Sequence, residues 1–336
     1  MKDATLATIG QIVWRLIERH DLAPPPFFRE AGIGPQIIRD PHARIARAKC
    51  DALLRAVAAR IPNPAFGLQA AKCWHPSNLG ALGYAWLSSS TLRTALGRVV
   101  RYWHIVATDV TVGLNDSARG VEFVHTPPPL DDDLDRIRGN MVMAILYDMC
   151  RTNFGYVFSP QRVAFRHAAP KDARLYVAFF GCPVTFNAGA NRMLISRADA
   201  DHPLPTANRE LAAVHDRILT QALARLDKRN ITARVRASLL ERLTSGELSA
   251  EDAARDLHMS RRSLQRRLAE ADETYQALVD DTRRDLALRY IEDPAKSATD
   301  ITFLLGYSQQ SAFTRAFRRW TGVNPSEYRA RNPSAT

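Results

Sequence analysis

The feature that most constrains the fold is a helical pattern that occurs twice near the end of the chain. Ser249 and Ser297 each begin an S-x-x-D sequence, which is a capping signal for the start of a helix. A turn follows each short helix, at 258–260 and at 306–308, and a longer helix follows each turn. A short helix, a turn and a longer helix form the helix-turn-helix unit, whose second helix enters the major groove of DNA. The sequence therefore predicts an all-α region with two such units.

The two longer helices separate apolar from polar side chains. Phe313, Ala316, Phe317 and Trp320 fall at i, i+3, i+4 and i+7, which predicts one buried stripe. Arginine reads guanine and glutamine reads adenine in the major groove, and further arginines contact phosphates. The predicted DNA contacts on the remaining faces are Arg261, Arg262, Gln265, Arg266, Gln310, Ser311, Thr314, Arg315 and Arg318. The alternative is a pair of solvated faces, which the two matched turns disfavour.

A helix predicted over 274–293 joins the two units. Its 20 residues would span about 30 Å at 1.5 Å per residue. That length is close to the roughly 34 Å that separates successive major-groove faces of B-DNA. One chain could therefore place both recognition helices on adjacent segments of the major groove.

The first 205 residues indicate a different class, in which helices and strands are mixed. Asn115-Asp116-Ser117 is predicted as the turn of a hairpin, and Thr91 as a helix N-cap. The predicted helices are 4–20, 49–60, 64–73, 79–88, 91–103, 130–153 and 172–180, and the predicted strands are 107–114, 120–125, 161–167, 184–186 and 191–196. The fold class is thus an α+β domain over 1–205, a helical connector over 206–231 and an all-α domain over 232–331.

Length and composition agree with two ordinary globular domains. The chain has 336 residues, of which 46% are hydrophobic and 24% charged. We expect a cytoplasmic protein without a membrane segment, because no 18-residue apolar run and no signal-peptide core occur. Cys50, Cys73, Cys150 and Cys182 lie far apart, so we expect free thiols rather than disulfides or a zinc site.

The net charge of +11 makes polyanions plausible partners, but it is not the DNA-binding signal. Residues 232–336 carry 17 basic and 15 acidic side chains, whereas the first 231 residues carry 29 and 20. The basic residues of the two recognition helices form a local signal instead. The surplus in the first region could favour an anionic ligand or widen the electrostatic footprint, and the sequence leaves both open.

Motifs for catalysis or for cofactor binding do not occur in the sequence. GxSxG, a P-loop and HExxH are all missing, and the histidines have no metal-binding spacing. Gly32-Ile33-Gly34 precedes a proline and reads as a loop. Asp131, Asp132, Asp133 and Asp135 fall in the first turn of a predicted helix, where acids favour the helix dipole. We therefore expect no cofactor, no metal and no enzymatic activity.

Aromatic and polar side chains occur together at several places in the first 205 residues, as they do around small-molecule pockets. An arginine in such a place could hold a carboxylate with two parallel hydrogen bonds. The alternative for Tyr84, Trp86 and Trp103 is packing in the core, which their helical spacing favours. Arg166 and His167 could equally end a strand at the surface. The candidate ligand contacts are Arg101, His104, Arg166 and His167.

The second helix-turn-helix unit resembles the AraC/XylS family of bacterial transcription regulators. The residues that carry the resemblance are Ala298, Ile301, Leu305-Gly306-Tyr307-Ser308, Ser311, Phe313, Arg315-Ala316-Phe317-Arg318-Arg319-Trp320, Gly322, Pro325 and Tyr328-Arg329. By position, the base-contacting residues implied are Arg262, Gln265, Arg266, Gln310, Ser311, Thr314 and Arg315. One departure is His258, which stands where the family usually has glycine and implies a more strained first turn.

The first region resembles the arabinose-binding-type domain of the branch that includes ornithine-utilisation and mycobacterial virulence regulators. The matching stretches are 79–89, Phe165-Arg166-His167, 180–186 and Pro203-Leu204-Pro205. The resemblance implies a sensor and dimerisation domain, a homodimer on double-stranded DNA, contact with RNA polymerase and activation controlled by a small-molecule effector. Two alternatives stay open: a regulator controlled by a partner protein or by its abundance, and an enzyme fused to a DNA-binding tail.

Overall fold

The structure is a computed structural model that describes residues 3–61, 63–226, 231–243, 248–291, 293 and 296–331, except for the side chains of Arg225, Arg289 and Arg331. The chain divides into two compact units, residues 1–219 and 220–336. This division falls within the predicted connector 206–231, most of which is one helix, Arg209–Leu226. The predicted limits of the three parts stay predictions.

The first unit mixes helices and strands, as the sequence predicts. Short 3-10 segments also occur, among them Phe66–Lys72 and Pro76–Leu79. The strands are β1 (Ala4–Leu6), β2 (Arg44–Ala46), β3 (Thr111–Ser117), β4 (Gly120–Thr126), β5 (Arg162–Ala164), β6 (Val184–Thr185) and β7 (Asn191–Ser196). The helices are α1 (Gly10–Glu18), α2 (Pro24–Glu30), α3 (Arg47–Ala58), α4 (Ala81–Leu87), α5 (Leu92–Val106), α6 (Asp132–Phe154), α7 (Arg174–Phe180), α8 (Arg197–Asp201) and α9 (Arg209–Leu226).

Five strands form one sheet, in the order β3-β4-β7-β5-β6. All neighbours are antiparallel except β5 and β6, which run parallel. In β4, Val121, Phe123 and His125 are buried and alternate with less buried residues, so one face of the strand points into the unit. Trp103 of α5 lies over this face, with its ring centroid 6.5 Å from that of Phe123.

The hairpin of β3 and β4 corrects the predicted turn. Asn115, Asp116 and Ser117 belong to β3 and pair with β4, and the chain turns at residues 118–119. The Asp116 carboxylate accepts from Arg93 at 2.6 Å and from a second arginine, Arg197, at 3.1 Å, which holds a turn-forming sequence in the strand. Gly120 follows the turn with φ of 144°, and a Cβ there would lie 2.0 Å from the carbonyl oxygen of Ile195 in the neighbouring strand β7, so only glycine fits this position.

The predicted helix 4–20 is wrong at its beginning and correct afterwards. Ala4–Leu6 is a strand that pairs with Arg44–Ala46, and the α-helix begins only at Gly10. This strand pairing is a long-range contact, which local helical spacing does not reveal. The predicted cap at Thr91 is confirmed, since its hydroxyl accepts from Thr94 N at 3.1 Å. Asp131, expected in the first turn of its helix, is the N-cap of α6 and accepts from Leu134 N at 2.9 Å.

The second unit is helical throughout its described residues. Two apolar cores lie along it, and Tyr275–Ile291 contributes to both, with Leu278 and Val279 in the first and Leu286 and Ile291 in the second. Its helices are the end of α9, then α10 (Ile231–Arg242), α11 (Ala250–Asp256), α12 (Arg261–Ala269), α13 (Tyr275–Ile291), α14 (Ala298–Leu304), α15 (Gln310–Thr321) and α16 (Pro325–Arg331). The α+β and all-α classes are thus confirmed.

Two further features of the described residues bear on the predictions. All four cysteines are free thiols, as expected. Within these residues no helix combines the length and hydrophobicity needed to cross a bilayer.

Candidate functional site

The first helix-turn-helix unit consists of α11, a turn and α12. The Ser249 hydroxyl accepts from Asp252 N at 3.1 Å, which confirms the predicted cap of α11. At the end of α11, Met259 N donates to Ala254 O at 2.9 Å. His258 lies between the two helices with φ of 55°, in the left-handed region that favours glycine. His258 is therefore the residue at which the expected backbone strain of this turn lies.

The second helix-turn-helix unit consists of α14, a turn and α15, and it has the same geometry. Ser297 accepts from Asp300 N at 3.1 Å, and Tyr307 N donates to Thr302 O at 3.0 Å. Gly306 takes the left-handed position with φ of 68°. Both turns thus form the same helix-ending hydrogen bond and place a left-handed residue at the same position.

All nine predicted DNA contacts lie on the outer faces of α12 and α15. In α12, Leu264 and Leu268 are buried in the core, and the helix presents its arginines and Gln265 to solvent. In α15, Phe313 and Phe317 are buried, Trp320 is half-buried and Thr314 is half-exposed. The predicted contacts that are exposed are Arg261, Arg262, Gln265, Arg266, Gln310, Ser311, Arg315 and Arg318.

Some arginines of α12 and α15 form ion pairs with carboxylates. Arg261 forms an ion pair with Glu251 of α11, and Arg266 lies 3.7 Å from Glu270. In α15, Arg319 donates to Asp280 at 2.5 Å, an acid from α13 that helix periodicity alone does not reveal. For Arg315 and Arg318 no ion pair is found among the residues that the structure describes.

A cavity lies inside the first unit, between α1, α3, α5, α6 and the inner face of β4. The space open to the centre of a water-sized sphere is about 170 Å³. Leu, Ile, Val and Met side chains form most of the wall. The polar side chains that line it are Thr5, Cys50, Trp103, His125 and Arg138.

His125 is a neutral ring with a defined tautomer. Burial, followed by the charges of Arg166 and Arg138, lowers the pKa of His125 to about 3. The Asn191 side-chain oxygen accepts from Arg166 N at 2.9 Å, which directs its NH₂ group towards His125 Nδ1 at 3.2 Å. Nδ1 therefore accepts, and the proton of the neutral ring lies on Nε2.

Two further donors of the lining lack acceptors. Trp103 Nε1 and Arg138 Nε are buried, and no hydrogen-bond partner is found for either atom among the described residues. The Trp103 ring meets that of His125 edge-on, with centroids 5.8 Å apart. The Arg138 guanidinium is held from its other side by Asp51. Burial raises the pKa of the neighbouring Cys50 thiol to about 11.

The fold directs the predicted ligand contacts Arg166 and His167 away from this cavity. Arg166 forms a two-point ion pair with Asp135, with nitrogen-to-oxygen distances of 2.6 and 2.9 Å, and also donates to Pro127 O at 3.0 Å. His167 is buried, with its Nε2 3.1 Å from Asn140 Oδ1. Burial also lowers the pKa of His167. These groups are satisfied internally, and neither residue is part of the cavity lining.

Arg101 and His104 belong to α5 but lie outside the lining as well. Arg101 is exposed and His104 half-exposed. A ligand in the cavity would touch Trp103, which lies between them in sequence, rather than either residue. The alternation of Val121, Phe123 and His125 in β4 was a signal for an inward-facing histidine. Of the three aromatic residues predicted as core, Trp86 is fully buried, whereas Tyr84 is 42% exposed and Trp103 lines the cavity.

Family comparisons agree with both units. The arabinose-binding domain of AraC transcription regulators matches residues 22–204, and a helix-turn-helix domain family matches residues 253–331. The crystal structure of the transcriptional regulator CdpR from Pseudomonas aeruginosa is similar in fold, with a TM-score of 0.51 and 22% identity. That similarity covers 95% of this chain and 98% of CdpR.

Two curated relatives match nearly the whole chain. The ornithine utilization regulator of Pseudomonas aeruginosa is 31% identical over 318 residues, which cover 94% of this chain and 93% of that protein. The HTH-type transcriptional regulator VirS of Mycobacterium tuberculosis is 31% identical over 311 residues, which cover 91% of each chain. Both relatives bear the names of regulators, and the resemblance drawn from the sequence is confirmed. The chain therefore belongs to the AraC family: it is a DNA-binding transcriptional regulator with an arabinose-binding-type N-terminal domain.

Proposed function

We propose that this regulator reads a specific DNA sequence with α12 and α15 and activates transcription under the control of a small-molecule effector in its first unit. The observation that carries the DNA-reading proposal is the repeated turn geometry, which leaves the polar faces of both helices exposed. In this proposal Arg262, Gln265, Arg266, Gln310, Ser311, Thr314 and Arg315 contact bases, and Arg261 and Arg318 contact phosphates.

The helix α13 sets the separation of the two reading helices. It has 17 residues, fewer than predicted, and spans about 25 Å at 1.5 Å per residue. Since α12 precedes α13 and α15 follows it in the chain, the two reading helices can be farther apart than the length of α13. Adjacent major-groove segments roughly 34 Å apart therefore remain a suitable target. The two cores that share α13 would hold the reading helices at a constant spacing.

A chain of contacts within the first unit supports effector control. Val99 and Trp103 of α5 line the cavity, and Arg98 of the same helix donates through Nε to Asp216 of α9 at 3.1 Å. Tyr84 stacks on His215 of α9, with ring centroids 5.9 Å apart. A ligand that displaced α5 would therefore act on the beginning of the predicted connector.

An apolar stripe on α9 supports the proposed homodimer. Leu211, Val214 and Ile218 are about half exposed, at 50%, 51% and 47%, and are spaced i, i+3 and i+7 along one face. Large apolar side chains in a row on an exposed helix are typical of helix-to-helix association. Contact with RNA polymerase, a cytoplasmic location and the absence of enzymatic activity complete the proposal.

Selection of binding sites from random DNA tests the reading helices. We expect the full chain to enrich one sequence and to bind it at least about 1,000-fold more tightly than random DNA at physiological salt. The double variant Arg262→Ala/Arg315→Ala should lose most of that ratio. Arg29→Ala, which removes an exposed charge from the first unit, is the matched control. Equal affinity for selected and random DNA would contradict the proposal.

Transcription in vitro with RNA polymerase and the selected site tests activation and effector control. We expect transcript yield to rise with the protein, and to change again when the small-molecule fraction of a cell extract is added. A yield that falls, or that ignores the small molecules, would favour repression or control by a partner protein respectively.

A further inference from the structure

We propose that the cavity of the first unit binds an apolar monocarboxylate, whose carboxylate accepts hydrogen bonds from Trp103, His125 and Arg138. This inference rests on the proposed effector control and names the chemical class of the effector. None of these three residues is among the ligand contacts predicted from the sequence, since they come from α5, β4 and α6 and are brought together only in the fold.

The wall of the cavity selects an apolar body. Its space of about 170 Å³ is bounded by aliphatic side chains from α1, α3, α5 and α6. An apolar cavity of about 150 Å³ accommodates benzene, so this one suits a ring or a chain of about six to eight carbon atoms. A sugar would bring several hydroxyl groups against a wall that offers few hydrogen-bond partners.

The polar groups of the lining select an acceptor at one end of the ligand. Trp103 Nε1 and Arg138 Nε are buried donors without a partner among the described residues, and His125 Nε2 carries the proton of a neutral ring. A buried donor without an acceptor is destabilising, and a ligand oxygen would relieve it. An amine has no acceptor of this kind when it is protonated, so it is the wrong class of ligand.

Charge favours an anion over a neutral acceptor. The cluster around Arg138 holds three cations, Arg44, Arg47 and Arg138, against two carboxylates, Asp51 and Asp109. Arg47 lies 3.8 Å from Asp51 and 3.4 Å from Asp109, and Asp51 also holds Arg138. Arg44 instead donates to two backbone carbonyls, Ile105 O and Ala4 O, at 2.7 and 3.0 Å. The charges of this cluster therefore sum to +1, and the unbalanced charge is that of Arg44, which lies outside the lining and would attract a ligand carboxylate through space rather than by contact.

Calorimetric titration of the full chain with matched probes tests the class. Octanoate, octanamide and octylamine share one chain and differ in the head group. We expect octanoate to bind at least about tenfold more tightly than octanamide, because hydrogen bonds to a charged acceptor are the stronger ones. Octylamine should not bind. Equal binding of octanoate and octanamide, or no binding of hexanoate, octanoate, decanoate and benzoate, would overturn the proposal.

The variant Trp103→Phe tests the position of the carboxylate. It keeps an aromatic ring in the wall and removes the N–H donor, so octanoate affinity should fall about tenfold while octanamide affinity changes less. Trp14→Phe is the control, because the Trp14 indole donates to Glu18 at 2.8 Å and is not part of the lining. Unchanged octanoate affinity in Trp103→Phe would overturn the proposed contact. Arg138→Ala is unsuitable, since it removes the nearer of the two cations of the buried Asp51 and leaves only Arg47, 3.8 Å away.

The same protein samples separate this inference from the proposed function. Octanoate that binds in the cavity without altering the affinity for the selected DNA supports the inference and contradicts effector control through this site. A cell-extract fraction that alters DNA affinity although no carboxylate binds supports effector control and overturns the inference.

Discussion

The two helix-turn-helix units have the same backbone conformation at their turns but differ in the side chains at equivalent positions. His258 and Gly306 both take a left-handed conformation, at φ of 55° and 68°. For a residue with a side chain this conformation costs roughly 1–2 kcal/mol, whereas glycine adopts it freely. This conformation therefore lowers the folding stability of the first helix-turn-helix unit, whereas the second helix-turn-helix unit has no such penalty.

The clamp on each turn differs as well. Arg283 of α13 donates to Leu305 O and to Gly306 O, both at 2.9 Å, and lies 4.1 Å above the centre of the Tyr307 ring. The first turn receives a bond from Arg234 to Leu257 O at 3.2 Å. The second turn is thus held by two hydrogen bonds and a cation–π contact from one arginine. In the second helix-turn-helix unit Arg315 and Arg318 face solvent, whereas Arg261 of the first is held by Glu251. We infer that the second unit contributes the larger part of DNA recognition.

The largest expected effect follows from the clamp on the second turn. Arg283→Ala removes two hydrogen bonds from a charged donor and a cation–π contact, and should destabilise the second unit by about 3 kcal/mol. Hydrogen exchange of residues 298–321 in the full chain would measure the loss of protection. Arg284→Ala, on the same helix but exposed beside Asp281, should change protection little. Similar losses in both variants would show that the clamp is unimportant.

Side-chain truncation compares the recognition helices directly. Arg315→Ala should weaken operator binding by roughly 1–3 kcal/mol and relax the base preference at one position. Arg261→Ala should cost less, because Glu251 competes with DNA for this arginine. Competition binding with single-base variants of the operator measures both. If Arg315→Ala lowers affinity equally for random DNA, Arg315 contacts a phosphate instead of a base.

Exchanging the two turn residues should give opposite changes in stability. Gly306→His is expected to cost roughly 1–2 kcal/mol, the penalty of a side chain in the left-handed region. His258→Gly should stabilise the first helix-turn-helix unit by up to about 1 kcal/mol, because the relief of backbone strain exceeds the extra conformational entropy that glycine gives the unfolded chain. Hydrogen exchange of residues 250–269 and 298–321 reports each unit separately. The same sign for both substitutions would refute the difference between the turns.

The smallest expected effect concerns the acid that holds Arg261. Glu251→Ala frees this arginine for DNA and removes a negative charge, so affinity should rise by less than about 1 kcal/mol at low salt. The gain should shrink at high salt, where exposed charges are screened. Glu30→Ala, which breaks an exposed ion pair with Arg60 in the α+β unit (residues 1–219), is the control. A gain that persists at high salt would point to a change in structure rather than in charge.

The recognition helices were predictable from sequence because their signals are local. The serine caps, the left-handed turn residues and the spacing of Leu264, Leu268, Phe313 and Phe317 all lie within one or two helical turns. Ion pairs between helices, such as that of Arg319 with Asp280, were not predictable in this way.

The cavity was not predictable, because its parts come from distant segments. Arg166 has the same chemistry as Arg138, yet Asp135 holds its guanidinium at two points, whereas Arg138 Nε has no hydrogen-bond partner within the described part of the chain. Only the fold decides which arginine faces a ligand. The hairpin turn shows the same limit, since the turn-like residue Asp116 is held in β3 by Arg93 and Arg197.

Hydroxyl-radical footprinting of the full chain on its selected operator tests the central claim, that α12 and α15 read adjacent major-groove segments unequally. We expect each chain of the proposed homodimer to protect two segments with centres about 10 base pairs apart. Arg315→Ala should remove protection at one segment and weaken binding strongly, and Arg262→Ala should affect only the other segment, with a smaller loss of affinity. Protection confined to one segment, or equal losses at both segments in each variant, would contradict the account.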